Sequence, residues 1–301
     1  MYNMFMARKL FLMILFLLPL VAVAQNAGFP LPDVPQTLKG PEVRANYLAL
    51  HYWDRYDFDD YSLIGNKDIS EQGFSNFISI MPYVTEKEAA FANFASSIAA
   101  NVKMLRYFMA LGEKYLAEPM SPLYDESLYI LLLEKVNELE GLDDANKEQF
   151  AFDLKMAKKN RLHTEAADFS YLTREGKRGR LSRVKSEYTL LFLGDPECEV
   201  CSIVKSELLD SPVFNDFVGN ARLKVLFVCV EGKTEAWMNA PAPSDWIDAC
   251  DDKGVIYEKL LYDIPGLPVL YLLDNDKRVV LKNASAGQIK EYLIQLSMQG
   301  K

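Results

Sequence analysis

The sequence predicts a two-domain α+β protein: an all-α helical module over about residues 43–161, then an α/β sandwich with a central mixed sheet over 162–301. Three observations carry this. Apolar residues recur at helical spacing through the first segment. After Arg161 they shift to short runs of strand type, and helical stretches separate those runs. A chain of 301 residues, 50% hydrophobic with 17 Phe and 16 Tyr, has apolar mass for two cores.

The first residues form a polar and basic head ending at Arg8-Lys9, an apolar run from Leu10 to Val21, and the small-residue pattern Ala22-Val23-Ala24 before Gln25. This is the pattern of a secretory signal peptide over residues 1–24. The run is short of the roughly 20 residues a spanning helix needs, and Pro19 interrupts it. An uncleaved anchor is the alternative. No cysteine stands at or just after the expected cut, so a lipid-anchored form is not indicated. The expectation is a soluble protein exported to the periplasm or cell envelope.

Residues 25–42, with Pro30, Pro32, Pro35 and Pro41, read as an extended linker that packs little. Thr85-Glu-Lys-Glu88 then has the form of a capping box, with Thr85 opening the helix that carries Phe91, Phe94, Ala95, Ile98 and Ala99. Leu105, Phe108, Met109 and Gly112 mark the next helix. Leu128, Leu131, Leu132 and Leu139 mark another, ending near Gly141, and Phe150, Leu154 and Ala157 a last one. The aromatic run Tyr47, Tyr52, Trp53, Tyr56, Phe58 and Tyr61, mixed with acidic residues, fits helix packing, or alternatively a groove for a glycan or peptide.

In the second half, residues 167–179 read as a β-hairpin entry. Thr189–Leu193 and Leu223–Val230 are apolar runs of the kind buried on both faces of a sheet. Val269–Leu273, a polar turn, and Arg278–Leu281 form a hairpin, and a final amphipathic helix covers about Gln288 to Ser297. The basic cluster Arg174, Lys177, Arg178, Arg180, Arg183 and Lys185 is read as a solvated hairpin. A net charge of −9 argues against nucleic acid or an anionic membrane surface as partner.

The chemistry concentrates in the cysteines, at 198, 201, 229 and 250. With two histidines only, His51 and His163, a histidine-rich metal site or histidine nucleophile relay is poorly supported. Cys198 and Cys201 follow a strand directly and open a helix, where unsatisfied amides and the helix dipole favour a thiolate. Three residues on, the second thiol stands one turn away, in place to resolve a mixed disulfide. Cys198 is thus the expected nucleophile and Cys201 the resolving thiol. Cys229, in a buried strand, and Cys250, in a loop after Trp246, are either two separate small apolar residues or a second disulfide. Their spacing is wrong for a four-cysteine zinc site, so no metal and no organic cofactor are expected.

The strand Thr189 to Leu193, Asp195-Pro196-Glu197-Cys198-Glu199-Val200-Cys201, and Ile264-Pro265-Gly266-Leu267-Pro268-Val269 together resemble the thioredoxin superfamily, and within it the exported TlpA-like and ResA-like branch. The resemblance covers about Ala166 to Gln299 and implies a thioredoxin-like sandwich. It further implies a cis Pro268 facing the cysteines, the backbone at Leu267 pairing with the substrate chain, and Leu267, Pro268 and Pro196 as the substrate-binding residues. Two features depart from the pattern. No aromatic residue precedes Cys198, and the buried carboxylate of many thioredoxins, six positions earlier, is replaced by Phe192, so proton handling must differ. Asp195, Glu197 and Glu199 place negative charge around the nucleophile and disfavour its thiolate, which predicts a reducing couple. The run Asn46 to Asp54 with Phe58-Asp59 resembles a helical domain of unknown function that precedes thioredoxin-like domains in envelope proteins.

The functional expectation is a thiol-disulfide oxidoreductase that exchanges disulfides with envelope proteins and draws on a membrane or periplasmic electron donor. The competing reading is a redox-inactive scaffold that binds an envelope partner through its helical module. A peroxide-reducing enzyme finds no supporting Thr or Arg arrangement.

Overall fold

The computed structural model describes residues 28–299, so the expected leader lies outside the described residues. The first domain packs six α-helices: α1 (Pro41–Leu50), α2 (Gln72–Ile80), α3 (Lys87–Ala99), α4 (Val102–Gly112), α5 (Glu126–Asn137) and α6 (Asp144–Ala157). Side-chain caps start three of them. Asn101, Asp125 and Asp143 each accept from amides of the turn that follows, satisfying donors the helix cannot. Their apolar faces close over a core of Trp53, Phe74, Phe77, Phe94 and Phe108. Trp53 stacks on Phe94 at 4.8 Å and meets Phe108 edge-on at 5.2 Å. Tyr52, Trp53 and Tyr56 are buried in this core and line no groove. His51 Nδ1 lies 2.7 Å from Asp54, one turn away.

Two local expectations are corrected. Residues 28–40 do not hang free, because Phe29 stacks on Tyr52 at 4.8 Å and meets Trp53 edge-on at 5.1 Å. Its ring lies against Gly73 of α2, where any Cβ would collide with it, so the lead-in is stitched to the helical core. Nor does Thr85 cap a helix. The first residue of α3 is Lys87, its N-cap is Glu86, and the Thr85 hydroxyl instead donates to Glu42 and accepts from Asn46 Nδ2. A tertiary pair with α1 wins over the local cap.

The second domain is built on one seven-stranded sheet in the order β2-β1-β5-β4-β3-β6-β7. The strands are β1 (Ser170–Thr173), β2 (Arg178–Arg180), β3 (Tyr188–Gly194), β4 (Leu223–Cys229), β5 (Ile247–Cys250), β6 (Val269–Leu273) and β7 (Val279–Leu281). The β3–β4 and β4–β5 pairs are parallel and the remainder antiparallel, which makes the sheet mixed. Helices α7 (Glu199–Leu209), α8 (Pro212–Gly219) and α11 (Ala286–Gln299) cover one face, with the short α9 (Glu235–Asn239) and α10 (Val255–Glu258) in the connections. Central β3 is buried along nearly its whole length, as its unbroken apolar run requires.

Here too the structure departs from expectation. Cys250 does not lie in a loop: it ends β5, a strand too short and too polar (Ile247-Asp-Ala-Cys250) to show a strand pattern by itself. The basic cluster is only partly solvated. Arg174 pairs with Asp248, Arg178 with Asp252 and Arg180 with Asp168, so the hairpin is tied to the sheet and its flanks.

The two domains are joined by a buried ion pair. Lys282, after β7, donates to Glu126 at the start of α5 (2.6 Å) and to the carbonyls of Ala157 and Lys159. Both side chains are below 10% exposed. Removing either partner of such a pair costs about 3–5 kcal/mol, because the other charge is left buried and alone.

Candidate active site

Strand β3 ends at Gly194, and the chain turns through Asp195-Pro196-Glu197 into α7, with Cys198 as its N-cap. Asp195 holds this turn by accepting from the Glu197 amide at 2.7 Å. Cys198 and Cys201 form a disulfide, with their Cα atoms 5.2 Å apart. The Cys198 sulfur accepts from the Cys201 amide at 3.1 Å, the hydrogen bond a helix N-terminus offers to a developing thiolate. Exposure separates the two. Cys198 is partly open to solvent, whereas Cys201 is 3% exposed and packs behind it on Leu208 and the apolar face of the sheet.

Across from the pair stands the loop Ile264–Pro268. The Leu267–Pro268 peptide is cis, and the Leu267 carbonyl oxygen lies 3.7 Å from Cys198 Sγ. The residues singled out in the sequence, Cys198, Cys201, Leu267 and Pro268, are therefore brought to one place. Pro196 lies on the other side of the cysteines, lining a small pocket of about 90 Å³ that opens onto Cys201.

That pocket holds groups the sequence gave no signal for. Lys205, one turn after Cys201 on α7, lines it with Trp246 and Asp248. Burial pushes the Lys205 ammonium below the usual lysine range, against the pull of Asp248, while Nζ donates to Pro241 O at 2.8 Å. Asp248 accepts from Arg174 Nε and Trp237 Nε1. Phe192, which stands in place of the buried carboxylate of many thioredoxins, is fully buried against Phe227 (5.4 Å) and Trp246 (6.1 Å). The floor under the cysteines is apolar, and the side pocket brings together the charged groups Arg174, Asp195, Lys205 and Asp248.

Cys229 and Cys250 sit opposite each other on the parallel strands β4 and β5, and both are free thiols. Of the two alternatives, the second disulfide is not formed and the two cysteines are separate buried residues. Burial pushes Cys229 up to about 12, with a nearby Asp195 carboxylate adding to the shift, and pushes Cys250 up to about 11. Both are neutral, enclosed thiols of the inert kind.

Comparison with known proteins agrees with this architecture. Residues 19–160 match the model of DUF5106, a domain of unknown function. A crystal structure of a thioredoxin-like protein from Bacteroides caccae is 33% identical, with 89% of this chain and 98% of that one covered and a TM-score of 0.73. A conserved protein of unknown function from Bacteroides fragilis is 38% identical over 44% of this chain and 98% of its own, with a TM-score of 0.43. A thiol-disulfide oxidoreductase from Bacteroides fragilis is 24% identical over 43% of this chain and 99% of its own, with a TM-score of 0.36. No curated protein matches. With a helical DUF5106 domain ahead of a sheet that carries the cysteine pair and the cis-proline loop, the chain belongs to the thioredoxin-like proteins.

Proposed function

We propose that the protein is an exported thiol-disulfide oxidoreductase that reduces disulfides of cell-envelope proteins through Cys198 and Cys201. The observation that carries this reading is the asymmetry of the pair: a partly open Cys198 at a helix N-terminus, 3.7 Å from the Leu267 carbonyl, with Cys201 buried behind it. In the reduced protein, the Cys198 thiolate attacks a client disulfide, forming a mixed disulfide and expelling one client thiolate. Cys201 loses its proton and attacks the Cys198 sulfur, which closes the Cys198–Cys201 bond and releases the second client thiolate. Two electrons pass from the dithiol to the client, and a membrane or periplasmic donor restores the dithiol.

The client chain pairs with the backbone at Leu267 as an added strand, beside Pro268 and with Pro196 flanking the pair. Cys201 gives up its proton through the side pocket, where the positive charge of Lys205 favours its thiolate, a task that Phe192 cannot perform. Asp195, Glu197 and Glu199 oppose the helix dipole at Cys198, which destabilises the charged reduced form and makes the couple reducing. The reaction needs neither metal nor organic cofactor, and the acidic chain does not act on nucleic acid. Export rests on the leader at residues 1–24. The test is a Cys201→Ser variant incubated with a disulfide-bonded peptide. A stable adduct on Cys198 supports the reading, and its absence contradicts it.

A further inference from the structure

A cavity of about 520 Å³ lies between the two domains. One side is helical-domain surface, with Glu113, Tyr129 and Asp153, and the other is the segment Tyr262–Val269 that carries the cis-proline loop. That loop serves two places at once. Gly266 and Pro268 line the cavity, and the carbonyl of Leu267 between them lies 3.7 Å from Cys198 Sγ. An extended chain advances about 3.3 Å per residue, so a client held at Cys198 brings residues a few positions from its own cysteine to the mouth of the cavity.

The lining is acidic and short of cations. Glu113, Asp153 and Asp263 come from three separate segments; burial raises all three pKa values, repulsion from Asp153 adds to it at Glu113 and from Asp263 at Asp153, and Lys282 pulls Asp263 back. None of the three has an ion-pair partner among the described residues. Among the described residues of the lining, Lys282 is the one cation, and it is engaged by Glu126 and two backbone carbonyls. Two further polar groups are left without partners. Asn283, on the lining, has a buried Oδ1 that accepts nothing. Tyr271, 0% exposed, packs on the lining residue Tyr262 with its hydroxyl unpaired among Asp263, Glu126 and Tyr124; the nearby Asn160 amide is engaged by Leu261 O and the Ala167 amide. Of the three carboxylates only Asp153 accepts a side-chain hydrogen bond among the described residues, from Gln149 Nε2 at 2.7 Å, and acceptors this short of donors call for a group made only of donors, which an ammonium or guanidinium is. Among the described residues no three His, Cys, Asp or Glu side chains converge closely enough to hold a metal ion.

We propose that this cavity seats a Lys or Arg side chain of the client polypeptide, close in sequence to the cysteine engaged at Cys198, so that the helical domain selects clients for the neighbouring redox site. The inference rests on the exchange reading above. It assigns the DUF5106 domain a share in substrate recognition, through a wall that the thioredoxin-like domain lacks by itself.

The test uses the whole mature chain and two short peptides, each closed by one disulfide and identical except for Arg or its neutral isostere citrulline near the cysteine. With dithiothreitol as donor, kcat/KM favours the Arg peptide by about tenfold at low salt, and added salt reduces that preference in the unmodified protein. Asp153→Asn and Asp263→Asn, one in each domain, bring the ratio close to one. A ratio near one in the unmodified protein, or an undiminished ratio in both variants, overturns the inference and leaves the exchange reading intact. If neither peptide is reduced, the exchange reading falls. Calorimetric binding of the two peptides to Cys198→Ser then still decides the cavity: tighter binding of the Arg peptide upholds it, and equal binding refutes it.

Discussion

Two pairs of cysteines lie in one sheet domain, and their surroundings set them apart. Cys198 and Cys201 stand at the N-terminus of α7, the first partly open and facing the cis-proline loop. Cys229 and Cys250 stand opposite each other within parallel strands, enclosed with Trp237 and held protonated by burial. The residue type is the same, and the reactivity is assigned by dipole, exposure and charge.

The largest expected effect is on the exposed pair itself. Cys198→Ser abolishes disulfide exchange, whereas Cys201→Ser permits one attack and accumulates the mixed disulfide, as intact-mass spectrometry of each variant would show. A lesser but still large contrast concerns alkylation of the reduced, folded protein by iodoacetamide at neutral pH. With Cys229 near 12 and Cys250 near 11, their thiolate populations fall below that of an ordinary thiol by about 10²- to 10³-fold. Peptide mapping should find Cys198 labelled long before either, and equal labelling would break the comparison.

Lys205→Met sharpens it further. Loss of that positive charge should slow release of the client from the mixed disulfide by about tenfold or more at neutral pH. The deficit should shrink as pH rises and Cys201 ionises unaided; a uniform loss across pH would make Lys205 merely structural. The smallest effect belongs to the buried pair. Its thiols have folded pKa values above the unfolded one, so their contribution to stability is complete below the unfolded value of 9.0. It is lost as pH climbs toward 11 and 12, because the unfolded chain gives up protons that the folded one retains. Cys229→Ala should leave neutral-pH exchange unchanged and flatten the alkaline fall in denaturation midpoint.

The redox pair was legible in the sequence because its signal is local: an apolar strand, two cysteines three apart, and a helical run behind them. The loop Gly266-Leu267-Pro268 was legible by family resemblance. What escaped notice depends on distant parts of the chain. Strand β5 has four residues and an ion-paired Asp248 in its middle, so only pairing with β4 and β1 reveals it. Thr85 carries a correct capping pattern that a contact across the fold to Glu42 and Asn46 overrides. Lys282 and Glu126 are 156 positions apart and look like ordinary surface residues until the domains close over them. Lys205 likewise shows its role only when the loop at Pro241 and Trp246 folds over α7.

The most direct test is the reduction potential of the mature protein, measured by equilibration with dithiothreitol or glutathione and with Cys198→Ser as control. The expected result is one reversible two-electron couple, absent in the variant, at a potential more negative than about −200 mV. A potential near the −120 mV or so of strong oxidants would contradict the reducing direction. A disulfide that never exchanges while the protein is folded would contradict the enzyme itself.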